Sequence, residues 1–302
     1  MNFVTDIFGK ELTEKKAITL MKNLVQLQLI GFFLLITVNG VFAQTENKAG
    51  KLIEALKSGD MKNALELAQS IDSVNYTDPA GTSLLIMASR FGHPDVVILL
   101  LAKGARPDMK AADGSTALIW ASVRGSAYIV KLLLDNGANP DIQDHDGSTA
   151  LMWASLSGNI FSVNLLMDKG ANSSLLRSDG ATALLIAVEE SLDEILKTLL
   201  DRGANPDQPG GNGLTPLMRS SQLGRKEIVR ILLEKGANPD FQGKNGYTAL
   251  MVASMNGQTD IVTELLNKNA NRDLKNDAGK TALDMAANTD IKSLLANLEK
   301  PQ

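Results

Sequence analysis

The chain of 302 residues contains no cysteine. Disulfides, thiolate metal ligands, a cysteine nucleophile and a lipid-modified cysteine anchor are therefore all excluded. Aromatic residues make up only 4% of the sequence, which is rich in small and aliphatic apolar residues instead. The formal net charge is -4, so no strong positive field favours nucleic acid or an anionic membrane as a partner.

Residues that could support catalysis are few. The sequence has no phosphate-binding glycine loop, no H-E-x-x-H and no G-x-S-x-G motif. His93 is a lone histidine and a poor metal site, so we expect a structural role for it. We expect His145 to be solvated at an exposed turn tip. Glu189, Glu190 and Asp193 are close in sequence, a pattern typical of a solvated face. We therefore expect no enzymatic activity, no cofactor and no metal site.

The N-terminal region resembles an export signal. Lys22 precedes the apolar run "LIGFFLLITV", and Val41-Phe42-Ala43 follows the small-x-small rule of a cleavage site. The run is shorter than the roughly 20 apolar residues of a membrane-spanning helix. We assign residues 1–20 to an upstream extension whose start site is doubtful, 21–43 to a signal peptide and 44–50 to a polar leader. The expected location is periplasmic or secreted from a bacterium; the alternative is a membrane anchor formed by an uncleaved segment.

The rest of the chain is periodic. "DGSTALIWASVRG" at 113–125 returns as "DGSTALMWASLSG" at 146–158, which is 33 residues later. Turn glycines recur with the same step of 33 and without insertion. They are Gly81, Gly114, Gly147, Gly180, Gly213, Gly246 and Gly279. A period of this length is the signature of a repeat architecture.

Each unit has a fixed order of structural signals. A turn glycine precedes a Thr or Ser, whose hydroxyl can cap the helix that follows. The short apolar first helix ends at a second glycine, and a longer second helix with apolar residues at helical spacing comes next. A second series of glycines ends the first helices, except that Ser191 stands in this place in one unit. Prolines such as Pro107 and Pro140 then favour an extended exit.

This pattern resembles the ankyrin repeat, whose signature is T-P-L-H-x-A. The corresponding letters here are T-A-L-I-W-A at Thr116–Ala121, T-A-L-M-W-A at Thr149–Ala154 and T-P-L-M-R-S at Thr215–Ser220. The histidine of the family is replaced by apolar residues, which are Ile119, Met152, Leu185, Met218 and Met251. The resemblance implies an all-α solenoid of helix-turn-helix units with short β-hairpin-like turns. An apolar side chain of similar size can fill the place of the histidine.

The period also divides the chain. We assign 51–76 to an N-terminal capping repeat, 77–275 to six ankyrin repeats and 276–302 to a C-terminal capping repeat and tail. Repeats 1 to 6 begin at residues 77, 111, 144, 177, 210 and 243. Asp284 occupies a place that is apolar in the other units, as expected of a cap with a polar outer face.

In ankyrin proteins, the turn tips and first helices form the concave surface that binds partners. Trp120 and Trp153 hold equivalent places in adjacent repeats, and either they are exposed on this surface or they fill the core between repeats. Arg219 belongs to a basic cluster beside the acidic repeat 4, and either a partner of mixed charge contacts that boundary or it is ordinary solvated surface. Tyr247 is expected to be exposed at a turn tip. The predicted partner-binding residues are Phe91, Trp120, Arg124, Trp153, Arg219 and Tyr247.

The expected function is a non-enzymatic scaffold or inhibitor that binds a protein in the cell envelope. One alternative is an accessory factor that protects or supports a periplasmic enzyme. Another is a secreted effector that binds a host protein. We expect no nucleic-acid partner, and no stable membrane span if the signal peptide is cleaved.

Overall fold

A computed structural model describes residues 47–297 of the chain. The predicted signal peptide and the residues before it lie outside this described part. The described helices, numbered in chain order, are α1 (47–58), α2 (Met61–Ser70), α3 (Leu84–Phe91), α4 (Pro94–Ala102), α5 (Ala117–Val123), α6 (Ala127–Asp135), α7 (Ala150–Leu156), α8 (Ile160–Asp168), α9 (Ala183–Glu189), α10 (Asp193–Asp201), α11 (Pro216–Leu223), α12 (Lys226–Glu234), α13 (Ala249–Met255), α14 (Thr259–Asn267) and α15 (Thr289–Asn297).

The predicted helix caps are confirmed in all six repeats. In each repeat, the hydroxyl oxygen of the capping residue accepts a hydrogen bond from the backbone N–H three residues later, at 3.1–3.3 Å. These bonds satisfy donors that a helix N-terminus otherwise leaves unpaired. The capping residues are Ser83, Thr116, Thr149, Thr182, Thr215 and Thr248.

The repeats stack in two layers, as the solenoid fold requires. The first helices pack on one another from α3 through α13, and each first helix packs on the second helix of its own repeat. The apolar residues that replace the family histidine lie in the resulting core, with at most 5% of their surface exposed. No repeat could bury its apolar faces alone, so stability comes from these contacts between neighbours.

The turn tips form the expected hairpin-like edge. A backbone N–H at each tip donates to a carbonyl of the preceding tip, for example His145 to Asp113 at 3.0 Å and Ser178 to Asp146 at 2.8 Å. Six such bonds join the tips from Ala80 to Asp277. The tips are therefore held in register along the array.

The two ends depart from the regular unit. α1 already includes residues 47–50, which the sequence pattern assigned to a polar leader, and Ala49 is fully buried. In the C-terminal unit, residues 282–285 form turns rather than a regular first helix. Asp284 is exposed there, and its carboxylate accepts from the N–H and the hydroxyl of Thr281. These bonds lower the pKa of Asp284, with the backbone bond the larger cause.

Candidate partner-binding face

The two tryptophans lie on the face formed by the turn tips and first helices, which we call the first-helix face. Their position is the fourth residue after each capping residue. Repeats 1, 4 and 6 place Met87, Ile186 and Val252 there, and these side chains are buried. Trp120 and Trp153 are half-buried because a large ring exceeds the space that a smaller side chain fills. Each tryptophan thus packs on the core and also contributes to the surface, so neither of the two expected alternatives holds alone.

Each indole is bonded to the turn tip of its own repeat. The Trp153 N–H donates to Asp144 Oδ2 at 3.0 Å. Repeat 2 has Ala111 in the place of Asp144, and the Trp120 N–H donates instead to Ser115 Oγ at 2.8 Å. The hydrogen bonds fix both rings and also join each first helix to its tip.

The Ser115 hydroxyl that accepts from Trp120 also donates to an acid at the tip of repeat 2. Ser115 Oγ donates to Asp113 Oδ1 at 2.5 Å. Burial raises the pKa of Asp113, but hydrogen bonds from Ser115 and the charge of His145 outweigh it, so the net shift is downward. The carboxylate is therefore held in its charged form at the edge of the first-helix face.

Basic side chains cover the face between repeats 1 and 2. The guanidinium of Arg90 lies over the Trp120 ring at 4.2 Å from the centroid, and 5.9 Å from that of Phe91. Arg124 is exposed and donates to the carbonyl oxygen of Arg90 at 3.4 Å. Phe91 is half-buried. These four residues form one aromatic and cationic cluster, which we call the Arg90 cluster.

Arg90 was absent from the residues that the sequence predicted. Its signal was available in the repeat, because it comes directly before Phe91 and one helical turn after the position equivalent to Trp120. Arginine and tryptophan are both enriched among residues that carry binding energy.

A family model for ankyrin repeats, built on three copies, matches residues 52–144, 125–210, 151–243 and 217–300. These matches together cover most of the chain. The chain belongs to the ankyrin repeat family. The family is a protein-interaction fold that is generally non-enzymatic.

Two solved structures are similar to this ankyrin repeat chain. The ankyrin repeat domain of Bcl-3, described as a unique member of the IkappaB protein family, is 29% identical with a TM-score of 0.66. The similarity covers 70% of this chain and 96% of that one. The human ASB11 ankyrin repeat domain is also 29% identical, with a TM-score of 0.58 and coverage of 72% and 99%. No curated protein matches the chain.

The other predicted residues of this ankyrin repeat chain lie apart from the Arg90 cluster. Arg219 holds the tryptophan position in repeat 5 and is half-buried, and its guanidinium donates to Glu189 at 2.9 Å and to Gln222 at 2.8 Å. Tyr247, in repeat 6, is half-buried against the core rather than exposed as expected. The six residues therefore do not form one site, and the described surface brings together only the members in repeats 1 to 3.

The basic cluster of repeat 5 is largely neutralised by ion pairs. Arg219 pairs with Glu189, Lys226 with Asp260 at 3.2 Å, and Arg230 with Glu227 at 2.7 Å. This arrangement favours the interpretation of ordinary solvated surface over a charge boundary that a partner contacts.

The histidines take the positions expected of them. A ring nitrogen of His93 lies 2.8 Å from the carbonyl oxygen of Leu56, so His93 joins repeat 1 to the N-terminal unit. His145 is exposed at a tip. Within residues 47–297, no three His, Asp or Glu side chains come together to hold a metal ion. No helix in the same range is long and apolar enough to cross a bilayer.

Proposed function

We propose that this ankyrin repeat protein is a non-enzymatic scaffold or inhibitor that binds a protein partner on the first-helix face of repeats 1 to 3. The Arg90 cluster is the observation that carries the proposal. It combines a partly exposed indole with two arginines, of which Arg90 stacks on the ring and Arg124 is exposed. Trp153 extends the same face by one repeat.

The cluster is suited to binding because its groups are already fixed. Hydrogen bonds hold both indoles, and Arg124 is held on the carbonyl of Arg90. Side chains that are ordered before association lose less conformational entropy when a partner binds. A partner that offers an acidic group beside an apolar side chain would match the arginines and the rings.

Site-specific photo-crosslinking tests the location and works with a partner of any identity. A photoreactive residue at Arg124 is expected to give a discrete crosslinked product in the native cell. The same residue at Thr263, which is exposed on the second helix of repeat 6, is the matched control. Products of equal yield at both positions, or none at Arg124, would contradict the proposal.

A second measurement separates binding from folding. With the crosslinked partner in hand, Arg90→Ala is expected to weaken binding by about tenfold, the effect of losing roughly 1.4 kcal/mol at a hot spot. Thermal melts show whether the variant remains folded. A folded variant with unchanged affinity would remove Arg90 from the site.

We further propose that the protein acts in the cell envelope of a bacterium, either in the periplasm or after secretion. The support is the sequence of 21–43, with its basic start, short apolar run and small-residue exit. Cell fractionation, with mass spectrometry of the N-terminus, tests the proposal. Protein found only in the cytosol with residues 21–43 intact would overturn it.

A further inference from the structure

A small cavity lies between repeats 4 and 5 on the first-helix face. Its volume is about 50 Å³. The turn tips and first helices of the two repeats supply its walls, which include Asp179, Gly180, Leu185, Glu189, Leu214 and Arg219. The cavity therefore lies on the same face as the Arg90 cluster, three repeats further along the array.

The repeat register shows what fills the equivalent space elsewhere. Arg219 is equivalent to Trp120, and Glu189 is equivalent to Arg90. The Trp120 ring lies against the guanidinium of Arg90, and the Arg219 guanidinium is bonded to Glu189. In repeat 2, an indole of the chain itself thus occupies the place that borders the cavity in repeat 5.

Two features of repeat 5 leave this space open. The Arg219 guanidinium is held at one wall by its hydrogen bond to Glu189, which also neutralises its charge. Gly210 has no side chain and stands where repeat 3 has Asp144, which accepts from an indole. A Cβ at Gly210 would lie 2.7 Å from Leu185 Cδ1, so no larger residue of the tip can fill the cavity from this side.

The walls offer contacts to a ring that carries a hydrogen-bond donor. The two leucines supply apolar surface, and the guanidinium of Arg219 can lie against the face of a ring. The carboxylates of Asp179 and Glu189 can accept from an N–H or an O–H. A hydrogen bond from Arg177 is the main cause that lowers the pKa of Asp179 to about 2, so this acceptor is charged.

We propose that this cavity receives an aromatic side chain with a hydrogen-bond donor, tryptophan or tyrosine, from the partner protein. The volume admits the edge of the ring, and the rest stays at the surface, as it does for the half-buried Trp120 and Trp153. Tryptophan and tyrosine are also residue types that often anchor an interface in a pocket. The inference rests on the proposed function, because the ring belongs to the same partner.

Protein-observed NMR with indole as the probe tests the cavity without a partner. Indole is expected to shift the amide signals of Leu185, Leu214 and Arg219. N-methylindole has the same ring system without the N–H donor, and it is expected to bind about fivefold more weakly. Unchanged signals at these three residues, or equal binding of the two probes, would overturn the inference.

Two variants of one residue test whether the ring enters this space. Arg219→Trp fills the cavity with a ring of the chain itself, as in repeats 2 and 3, and is expected to abolish the indole-induced shifts of Leu185 and Leu214. Arg219→Ile places the residue type of Ile186 in repeat 4 at this position and leaves the cavity open. It is expected to weaken indole binding by only about two- to fivefold, through loss of the guanidinium. Thermal melts show whether both variants are folded, and a folded Arg219→Trp protein that still binds indole here would contradict the assignment.

The partner identifies the source of the ring. With the partner captured by crosslinking at Arg124, Arg219→Trp is expected to raise its dissociation constant by about tenfold, the effect of losing one hot spot. Unchanged affinity of the folded variant would overturn this inference and leave the proposed function intact. Absence of a crosslink at Arg124 in the wild-type protein contradicts the proposed function instead, and the indole measurements do not depend on that result.

Discussion

The boundary between repeats 2 and 3 and the boundary between repeats 3 and 4 are joined differently. At the first, Asp141 accepts from the Asn172 N–H at 2.7 Å, and the Ser157 and Asn159 side chains donate to carbonyls of repeat 2. At the second, the equivalent residues are Ser174, Glu190 and Leu192. None of these three makes the corresponding bond among the described residues.

The chemistry of the substituted side chains explains the difference. An ionised glutamate has no donor to offer a carbonyl, and leucine has no polar atom. The carboxylate bond is otherwise regular, since Asp108, Asp207 and Asp240 accept from Asn139, Asn238 and Asn271 at 2.7–2.9 Å. The boundary between repeats 3 and 4 keeps its tip bond from Ser178 and the Asp168–Arg202 ion pair. We infer that it is the weaker of the two couplings.

The same boundary carries backbone strain. Ser191, in the turn of repeat 4, has a φ of +56°, whereas the equivalent residue of repeat 3 is Gly158 with a φ of +67°. Glycine adopts this left-handed conformation without steric cost, but a residue with a Cβ does not. Strain and missing bonds thus coincide in one repeat.

The largest expected effect comes from loosening the core on either side of this boundary. Leu133 in repeat 2 and Leu232 in repeat 5 are equivalent and fully buried, so each Leu→Ala change should cost about 2–5 kcal/mol. Both tryptophans lie in repeats 2 and 3, so their fluorescence reports on that side alone. In Leu133→Ala, the urea midpoint of unfolding measured by fluorescence should lie below the midpoint measured by circular dichroism. In Leu232→Ala, the fluorescence midpoint should lie above the circular dichroism midpoint.

Wild-type protein provides the reference for this comparison. If fluorescence and circular dichroism coincide in both variants, the array unfolds as one cooperative unit and the boundary is not a point of weak coupling.

An exchange of the two turn residues should have a smaller effect, of opposite sign in the two repeats. Ser191→Gly relieves the left-handed serine and should stabilise the protein by about 0.5–1 kcal/mol, and Gly158→Ser should destabilise it by about 1–2 kcal/mol. A Cβ at Gly158 meets no atom within 4 Å, so the second cost is conformational rather than steric. Urea denaturation measures both. Destabilisation by Ser191→Gly would show that Ser191 is not strained.

The sequence predicted the repeat period, the helix caps and the glycine positions because each is a local backbone requirement. Ser191 was already visible as the break in a glycine series. The position of Arg90 over Trp120 could not be predicted, because it depends on the distance between two repeats. The turns at 282–285 were also not predicted from the sequence. Thr281 and Ala282 match the signature of the other units, but a first helix at this place would require the packing of a complete unit.

An effect smaller than that of Gly158→Ser is expected from restoring the missing carboxylate bond. Ser174→Asp places an acceptor opposite the Asn205 N–H, and the free energy of unfolding should rise by about 0.5–1.5 kcal/mol. Asp141→Ser removes the equivalent bond between repeats 2 and 3 and should lower the free energy of unfolding by a similar amount. Hydrogen exchange at the amides of Asn205 and Asn172 measures each bond directly. Unchanged protection of Asn205 in Ser174→Asp would mean that the two repeats are too far apart for the bond.

The smallest effect is expected from an ion pair between repeats 2 and 3. Asp135 in repeat 2 accepts from Lys131 at 2.6 Å, and Lys169 of repeat 3 lies 2.9 Å from its other oxygen. These bonds, led by that from Lys131, lower the pKa of Asp135 from 3.8 to about 2. Because the folded pKa is below the ordinary value, the stabilisation is present above pH 3.8 and is lost as the pH falls towards 2.

In an NMR titration at low salt, Lys169→Met should raise the pKa of Asp135, and Lys197→Met, a control in repeat 4, should not. The pair is exposed, so added salt should reduce the difference. An Asp135 titration midpoint that Lys169→Met leaves unchanged would show that Lys169 does not act across the boundary.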